Sequence, residues 1–288
     1  MMAGNTQFIT LDPTGNVTCL VLSSVAAADR PRITAGLMDR CEQVGYLCPA
    51  GKPGARARLE MMGGEFCGNA TMALGAYLAR EDGLRDGEEA FFSLEVSGVE
   101  ETVPCRIRRE GDAWRGTVDM PLPTGMEETD LADRRALSVT LPGMTHLILP
   151  EGHLEKKEAE ALLGKAALRF SAPALGLLQW DEARAYMTPL VYVRGSETMV
   201  WETACGSGTT AIACWRARMA GHSLRTAVRQ PGGLLEAEAE MEGGVLCRIL
   251  LTGTVRIGEM EILETPAAAG PGEHECQPPD IAHSKENV

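Results

Sequence analysis

Two stretches of the chain repeat one another at an offset of 138 residues. Residues 65–80 read EFCGNATMALGAYLAR, and residues 203–218 read TACGSGTTAIACWRAR. The matched positions include Cys67 with Cys205, Gly68 with Gly206, Thr71 with Thr209, and the closing glycines Gly83 with Gly221. Self-similarity over so long a period indicates that one supersecondary unit has been built twice. A chain of this kind is predicted to fold as two similar halves.

Composition narrows the class of protein. The chain has 288 residues, 23% of them charged, and a formal net charge of −13, which is typical of a globular protein and argues against a nucleic-acid or anionic-membrane partner. It has no apolar run of about 18 residues and no N-terminal signal pattern, so we expect no membrane span and no secretion. Nine cysteines without a CxxC pair suit reduced thiols, and hence a cytoplasmic protein.

The distribution of turn signals and apolar runs predicts an α+β fold. Each half carries many strand-like runs and one prominent helix directly after its cysteine, and further helices are predicted at 32–43 and 153–170. PLPTG at 121–125 is typical of a boundary. We therefore expect an N-terminal lobe at 1–125, a C-terminal lobe at 126–265 and a disordered tail at 266–288, which is rich in Pro, Gly and charge.

A cysteine followed by small residues at a helix entrance has a chemical use. The first backbone N–H groups of a helix have no intrahelical partner and, with the helix dipole, can hold an anion. The same groups lower the pKa of a nearby thiol. One such cysteine is more often an inert core residue. Two copies in the same glycine-rich setting, Cys67 and Cys205, favour a chemical role.

Two thiols on opposite sides of one bound anion suit inversion at the α-carbon of an amino acid. One thiolate would remove the α-proton while the other thiol delivers a proton to the opposite face. Helix-entrance amides would stabilise the negative charge that moves into the carboxylate. The five histidines form no metal-ligand spacing, and the lysines lie in polar settings. The residues therefore favour a mechanism with no cofactor and no metal.

The segments FCGNATMA and TACGSGTTA resemble the two signature segments of the diaminopimelate epimerase-like superfamily. The resemblance implies two pseudo-symmetric lobes, each an antiparallel barrel-like sheet around a central helix, with the active site between them. DPTGNVTCLVL, CEQVGY, THLILP, VWETACGSGT and VRQPGG are similar to one branch of it, the histidine racemases of opine-metallophore (staphylopine-type) biosynthesis. That branch implies conversion of L-histidine to D-histidine by a homodimer.

The resemblance also implies a set of site residues. Cys67 and Cys205 become the catalytic pair, and Glu42 and His146 fall where the family keeps functional residues. The substrate-binding positions become Asn16, Gly68, Asn69, Gly206 and Ser207.

Three other functions stay open on the sequence alone. Diaminopimelate epimerases carry an Asn-Ala-Asp-Gly, an Asn-Pro-His and a Glu-Arg-Gly stretch, and the corresponding places here read EMMGGEF, GMTH and VYVRGSE. A site without partners for the distal head of that substrate would leave buried charges unpaired. The second alternative is an isomerase in which Glu42 moves the proton, and the third is a module that binds amino acids without turnover.

Overall fold

The computed structural model describes residues 4–150 and 153–265. The tail predicted at 266–288 lies outside the described residues. Sixteen strands and four α-helices are found in the described part of the chain. The fold is therefore α+β and mostly sheet, as the sequence predicts.

The first half of the chain holds seven strands and two helices, with a short 3-10 turn (Ala27–Asp29) before the first helix. They are β1 (Gly4–Pro13), β2 (Thr18–Val21), α1 (Arg30–Leu37), β3 (Gln43–Cys48), β4 (Ala57–Met61), α2 (Gly68–Glu81), β5 (Glu89–Val96), β6 (Val103–Glu110) and β7 (Ala113–Asp119). The second half holds β8 (Gly125–Leu131), β9 (Arg134–Leu141), β10 (Met144–Leu149), α3 (Lys156–Arg169), β11 (Ala174–Asp181), β12 (Tyr186–Val193), β13 (Thr198–Trp201), α4 (Gly206–Ala220), β14 (Leu224–Gln230), β15 (Gly233–Glu242) and β16 (Val245–Thr265).

Hydrogen bonds join these strands into one continuous, mixed sheet. Its order is β1-β2-β3-β4-β5-β6-β7-β16-β15-β14-β12-β11-β10-β9-β8, with β13 paired to β12 off this path and an added pairing of β1 with β16. Most neighbours are antiparallel. The pairs β2–β3, β4–β5, β10–β11 and β12–β14 are parallel.

The parallel pairs correct the expectation, implied by the resemblance, of antiparallel sheets. Each parallel pair is connected by a segment that contains one helix, α1, α2, α3 and α4 in chain order. Parallel neighbours need such a crossover, because the chain has to return to the same end of the sheet. Strand-like runs flank the helices closely enough in sequence to be mistaken for hairpin partners.

The two helices of the repeat follow the sequence prediction, whereas α1 does not. Helix α4 ends where Gly221 takes the left-handed conformation at φ 73°, a common way to end a helix. Helix α1 spans Arg30–Leu37, so the predicted end at 43 is wrong. The Glu42 N–H instead donates to Val17 O at 2.9 Å, which begins the parallel pairing of β3 with β2.

The repeated helices share one apolar core. Met72 and Leu74 of α2 belong to the same buried cluster as Ala213 and Cys214 of α4, and Leu251 of β16 belongs to it as well. The opposite side of α4 packs into a second cluster. Burial of this many apolar side chains fixes both helices, and therefore both of their N-termini, against the sheet.

Strand β16 connects the two ends of the chain. Residues 245–252 pair with β15, residues 250–255 pair with β7, and residues 255–265 pair with β1. Within residues 4–150 and 153–265, none of the helices has the length and apolarity that crossing a membrane requires.

Candidate active site

Cys67 caps the N-terminus of α2. Its backbone is extended (φ −133°, ψ 110°), and its Sγ accepts a hydrogen bond from the Ala70 N–H at 3.4 Å. The Thr71 hydroxyl donates to the Cys67 carbonyl oxygen at 2.7 Å. The thiol therefore takes the part that an Asp or Ser side chain plays in an ordinary N-cap.

Cys205 repeats this arrangement at the N-terminus of α4. Its Sγ accepts from the Gly208 N–H at 3.4 Å, and the Thr209 hydroxyl donates to the Cys205 carbonyl oxygen at 2.8 Å. Gln230 adds a contact that the first copy does not have, because its Oε1 accepts from the Cys205 N–H at 2.6 Å. The sequence repeat is thus a repeat of capping geometry.

The N-termini of the two helices lie against one another. Asn69 Nδ2 donates to the Ala204 carbonyl oxygen at 3.3 Å. A Cβ on Gly206 would lie 2.7 Å from Leu251 and 2.9 Å from Asn69 Oδ1, and a Cβ on Gly68 would lie 3.0 Å from Leu251. A side chain at position 206 would therefore crowd Asn69 of α2 as well as Leu251, whereas one at position 68 would crowd Leu251 and Met120.

The adjoining helix entrances place together four backbone N–H groups of the kind that can bind an anion. The backbone N–H groups of Gly68, Asn69, Gly206 and Ser207 fall in the first turns of α2 and α4, where a helix has no partner of its own for them. Two positive dipole ends meeting there favour a carboxylate.

Asn16 and Glu42 form a chain of hydrogen bonds that reaches Cys67. Thr203 Oγ1 donates to Glu42 Oε1 at 2.7 Å, and Asn16 Nδ2 donates to Glu42 Oε2 at 2.8 Å. Gln43 Nε2 donates to Asn16 Oδ1 at 2.6 Å, and the Cys67 thiol donates to Gln43 Oε1 at 3.2 Å. This chain, which we call the Glu42 chain, links a segment next to Cys205 with Cys67.

His146 reaches Cys205 only through Ser207. Ser207 Oγ lies 3.4 Å from Cys205 Sγ and 2.9 Å from His146 Nε2. The His146 side chain is fully buried, and its Nδ1 has no hydrogen-bond partner among the described residues. Burial lowers the pKa of His146 to about 3, so the imidazole is neutral and does not itself supply a charge.

Glu202 is a site residue that the sequence reasoning missed. Burial raises the pKa of its carboxyl to about 7, with a hydrogen bond to Cys205 opposing the shift and the charge of Glu42 adding to it. A carboxyl group with a pKa near 7 can take and return a proton at neutral pH. Its position three residues before Cys205 is the only signal that the sequence offered.

Burial dominates the acidity of both cysteines. It raises the pKa of Cys67 to about 11 and raises the pKa of Cys205 well above its usual value, and the nearby charge of Glu202 adds to both shifts. The N–H bonds from Ala70 and Gly208 lower the pKa as the sequence predicted, but by less. The expected lowered thiol pKa is therefore wrong for this structure. The charge of Glu202 therefore acts on both sulfurs.

A cavity of about 510 Å³ lies elsewhere, against the C-terminal part of α4, with Trp180, Trp215 and Arg216 in its lining. None of the site residues named above lines it. Within the described ranges, no three His, Cys, Asp or Glu side chains are grouped so as to hold a metal ion.

Solved structures define the class of protein to which this fold belongs. A predicted epimerase from Pseudomonas aeruginosa superposes with a TM-score of 0.69 at 16% identity, covering 91% of this chain and all of that one. A probable proline racemase from Agrobacterium radiobacter K84 gives 0.69 at 13% identity, covering 93% and 94% of the two chains. The fold is that of these racemase and epimerase structures.

Sequence comparison identifies the family. The model of the histidine racemase CntK N-terminal domain matches residues 5–260, and the chain belongs to this family of isomerases. It is 29% identical over 240 residues to a histidine racemase from Staphylococcus aureus, covering 79% of this chain and 86% of that one. It is 28% identical over 271 residues to one from Fusobacterium nucleatum, covering 88% and 97%. The family resemblance inferred from the sequence is confirmed.

Proposed function

We propose that this enzyme interconverts L- and D-histidine with Cys67 and Cys205 as its acid–base pair. The observation that carries the proposal is the contact between two cysteine-capped helix N-termini, through Asn69 and Ala204. The histidine racemases to which the chain is similar support histidine as the substrate. Use of the D-histidine in an opine metallophore is part of the same proposal.

The mechanism begins with a proton leaving one thiol. Glu202 bonds to Cys205 and has a pKa near neutrality, so it can accept that proton and leave a thiolate. The thiolate removes the α-proton of histidine, and Cys67 donates its S–H proton to the opposite face. Inversion then leaves the sulfurs with exchanged protonation states, ready for the reverse reaction.

The carbanion between these two steps needs stabilisation. The N–H groups at the entrances of α2 and α4 would bind the α-carboxylate as negative charge moves into it. The donors are fixed in place by helices whose core faces are buried, so they need no rearrangement during the reaction. Asn16 and Glu42 would face the remaining polar groups of the substrate.

The proposed architecture is two pseudo-symmetric lobes, at 1–125 and 126–265. The order of strand pairings supports it. From β1 to β7 the successive pairings are antiparallel, parallel, antiparallel, parallel, antiparallel and antiparallel, and the same order runs from β9 to β16 when β13 is set aside. The active site would then lie between the lobes.

A homodimer in the cytoplasm completes the proposal. Symmetric dimers are the commonest soluble oligomers. Light scattering during size-exclusion chromatography would give twice the chain mass of 30.8 kDa for a dimer, and a value equal to one chain would exclude it.

Hydrogen exchange at the α-carbon tests the reaction itself. Purified enzyme with L-histidine in D2O and reductant should form α-deuterated D-histidine without added cofactor, measured by NMR and chiral chromatography. The double variant Cys67→Ala/Cys205→Ala is the matched control and should give neither product. If histidine keeps its α-proton while diaminopimelate or another amino acid exchanges, that other amino acid is the substrate. No exchange with any amino acid would overturn the proposal.

A further inference from the structure

The amide of Gln43 has only one possible orientation in the Glu42 chain. The carboxylate of Glu42 accepts hydrogen bonds, so Asn16 must turn its Nδ2 toward it. Asn16 Oδ1 then faces Gln43, which must present Nε2. Thr18 supports the same orientation, because its Oγ1 accepts the second Gln43 N–H at 2.8 Å. The Thr18 hydroxyl proton is donated to the backbone carbonyl oxygen of Asn16 at 3.3 Å.

Both protons of the Gln43 amide are therefore used, and only Oε1 remains for Cys67. An oxygen with no proton can accept from a thiol but repels a thiolate. The S–H form of Cys67 is thus satisfied on both sides, since its sulfur also accepts from the Ala70 N–H.

Cys205 has different neighbours. Its sulfur faces the Ser207 hydroxyl, which can donate a hydrogen bond, and the Glu202 carboxyl, which can take a proton. When His146 supplies Nε2–H to the Ser207 oxygen, the Ser207 proton can go to Cys205 Sγ or to Met144 Sδ, each at 3.4 Å. That tautomer is the favoured one, because the buried Nδ1 has no acceptor nearby for a proton.

We propose that Gln43 is a positioning residue that stabilises Cys67 as the thiol, which biases the substrate-free enzyme toward the form with Cys205 as the base and Cys67 as the acid. The proposal rests on the racemase function above and deepens it, because it gives the two chemically equivalent sulfurs different starting roles. The asymmetry comes from the different neighbours of the two sulfurs. Cys67 faces Gln43, whereas Cys205 faces Glu202 and Ser207.

Racemase kinetics report this bias directly. The equilibrium constant between enantiomers is one, so kcat/KM is equal for both in every variant. When proton transfer limits turnover, the ratio of the two kcat values equals the equilibrium constant between the two bound protonation states. A residue that stabilises Cys67 as the thiol changes that ratio, whereas general damage to the site lowers both kcat values together.

The test compares Gln43→Met with Thr18→Val. Gln43→Met removes the oxygen that accepts from Cys67, and we expect the ratio of kcat values for the two enantiomers to change by about three- to tenfold, the worth of one hydrogen bond. Thr18→Val removes an anchor of Gln43 but leaves Oε1 facing the sulfur, so the ratio should stay within twofold. An unchanged ratio in Gln43→Met, or an equal change in both variants, would overturn the proposal.

A second measurement needs no turnover. Because the thiolate is the species that iodoacetamide alkylates, mass spectrometry can give the labelling rate of each cysteine without substrate. Gln43→Met should label Cys67 about three- to tenfold faster than wild type, and Gln43→Glu, which keeps an oxygen there, should label it more slowly, with Cys205 as the internal reference. Equal Cys67 rates in wild type and either variant would refute the role of Gln43, even if histidine proves not to be the substrate. Gln43→Glu also serves if Gln43→Met does not fold.

Discussion

At the scale of single residues, each cysteine has one observed and one proposed role. Its sulfur caps a helix by accepting a backbone N–H, and we propose that the same sulfur exchanges a proton with the substrate. A serine can cap a helix equally well, but its hydroxyl is far less acidic than a thiol. Structural and chemical roles can therefore be separated by substitution.

We expect Cys67→Ser and Cys205→Ser each to fold normally and to lose at least about 100-fold in kcat, because a general acid or base is removed. The matched control is Cys214→Ala on the buried face of α4. It should keep kcat within about twofold while it lowers stability by about 1 kcal/mol through a small cavity. Steady-state kinetics and urea unfolding measure the two effects. Full activity in either serine variant would remove that cysteine from the mechanism.

Glu202 should make stability depend on pH. Its pKa is raised by burial from 4.5 to about 7, so the folded protein binds the proton more tightly than the unfolded chain. The stabilisation is complete below about pH 4.5 and is lost as pH rises to 7, at most about 3 kcal/mol. Glu202→Gln should remove this dependence, and the exposed control Glu100→Gln should keep it. Urea unfolding at both pH values gives the difference, and equal pH slopes in wild type and Glu202→Gln would contradict the expectation.

Asn16, Glu42 and His146 came from the family resemblance, and apart from it the sequence marks only site residues that repeat. Cys67 and Cys205 stand out because the same setting occurs twice. Glu202 and Gln43 do not, because the two sulfurs have different polar neighbours and no periodicity marks them. Their roles follow from burial and from the direction of hydrogen bonds, which are tertiary properties.

At the scale of helices and strands, local signals located most elements but not their pairing. The helices after the cysteines begin at small residues, and α4 ends at a left-handed glycine, both readable from composition. Helix α1 is shorter than its apolar spacing predicts, and the residues from Gln43 onward pair with β2 instead. Parallel pairing depends on which distant strands meet, and turn residues do not encode that.

Two glycines with opposite backbone demands give a prediction at this scale. Gly164 lies inside α3, where a Cβ would make an ordinary 3.5 Å contact with Met199, so Gly164→Ala should stabilise the protein by about 0.5–1 kcal/mol. Gly221 ends α4 at φ 73°, so Gly221→Ala should cost about 1 kcal/mol despite open space around it. Urea unfolding of both variants measures the change in the free energy of unfolding. Changes of the same sign in the two variants would contradict the prediction.

At the scale of the whole molecule, two backbones meet at Gly15 and Gly232. A Cβ on Gly232 would lie 2.8 Å from Gly15 Cα and 2.8 Å from the Thr14 carbonyl oxygen. The Gly232 N–H also donates to the Thr203 carbonyl oxygen at 2.8 Å. This contact sets the spacing between the loop that joins β1 to β2 and the segment that leads to Cys205.

We expect Gly232→Ala to lower kcat by about 10- to 100-fold, since displacing the segment by a fraction of an ångström misaligns the two sulfurs. The control Gly244→Ala, in the turn between β15 and β16 with φ 82° and open space, should lower stability by about 1 kcal/mol and leave kcat unchanged. Kinetics combined with thermal unfolding separate the two effects. Wild-type kcat in Gly232→Ala would show that this contact does not align the site.

The course of β16 also has a consequence for biosynthesis on the ribosome. Strand β1 is made first, yet residues 255–265, which flank it in the sheet, are near the end of the described chain. The N-terminal half can therefore pack most of its core during translation. Its sheet is complete only after residues 255–265 have been synthesised. A premature stop before residue 255 would leave both cysteines in a product whose first strand has an unpaired edge.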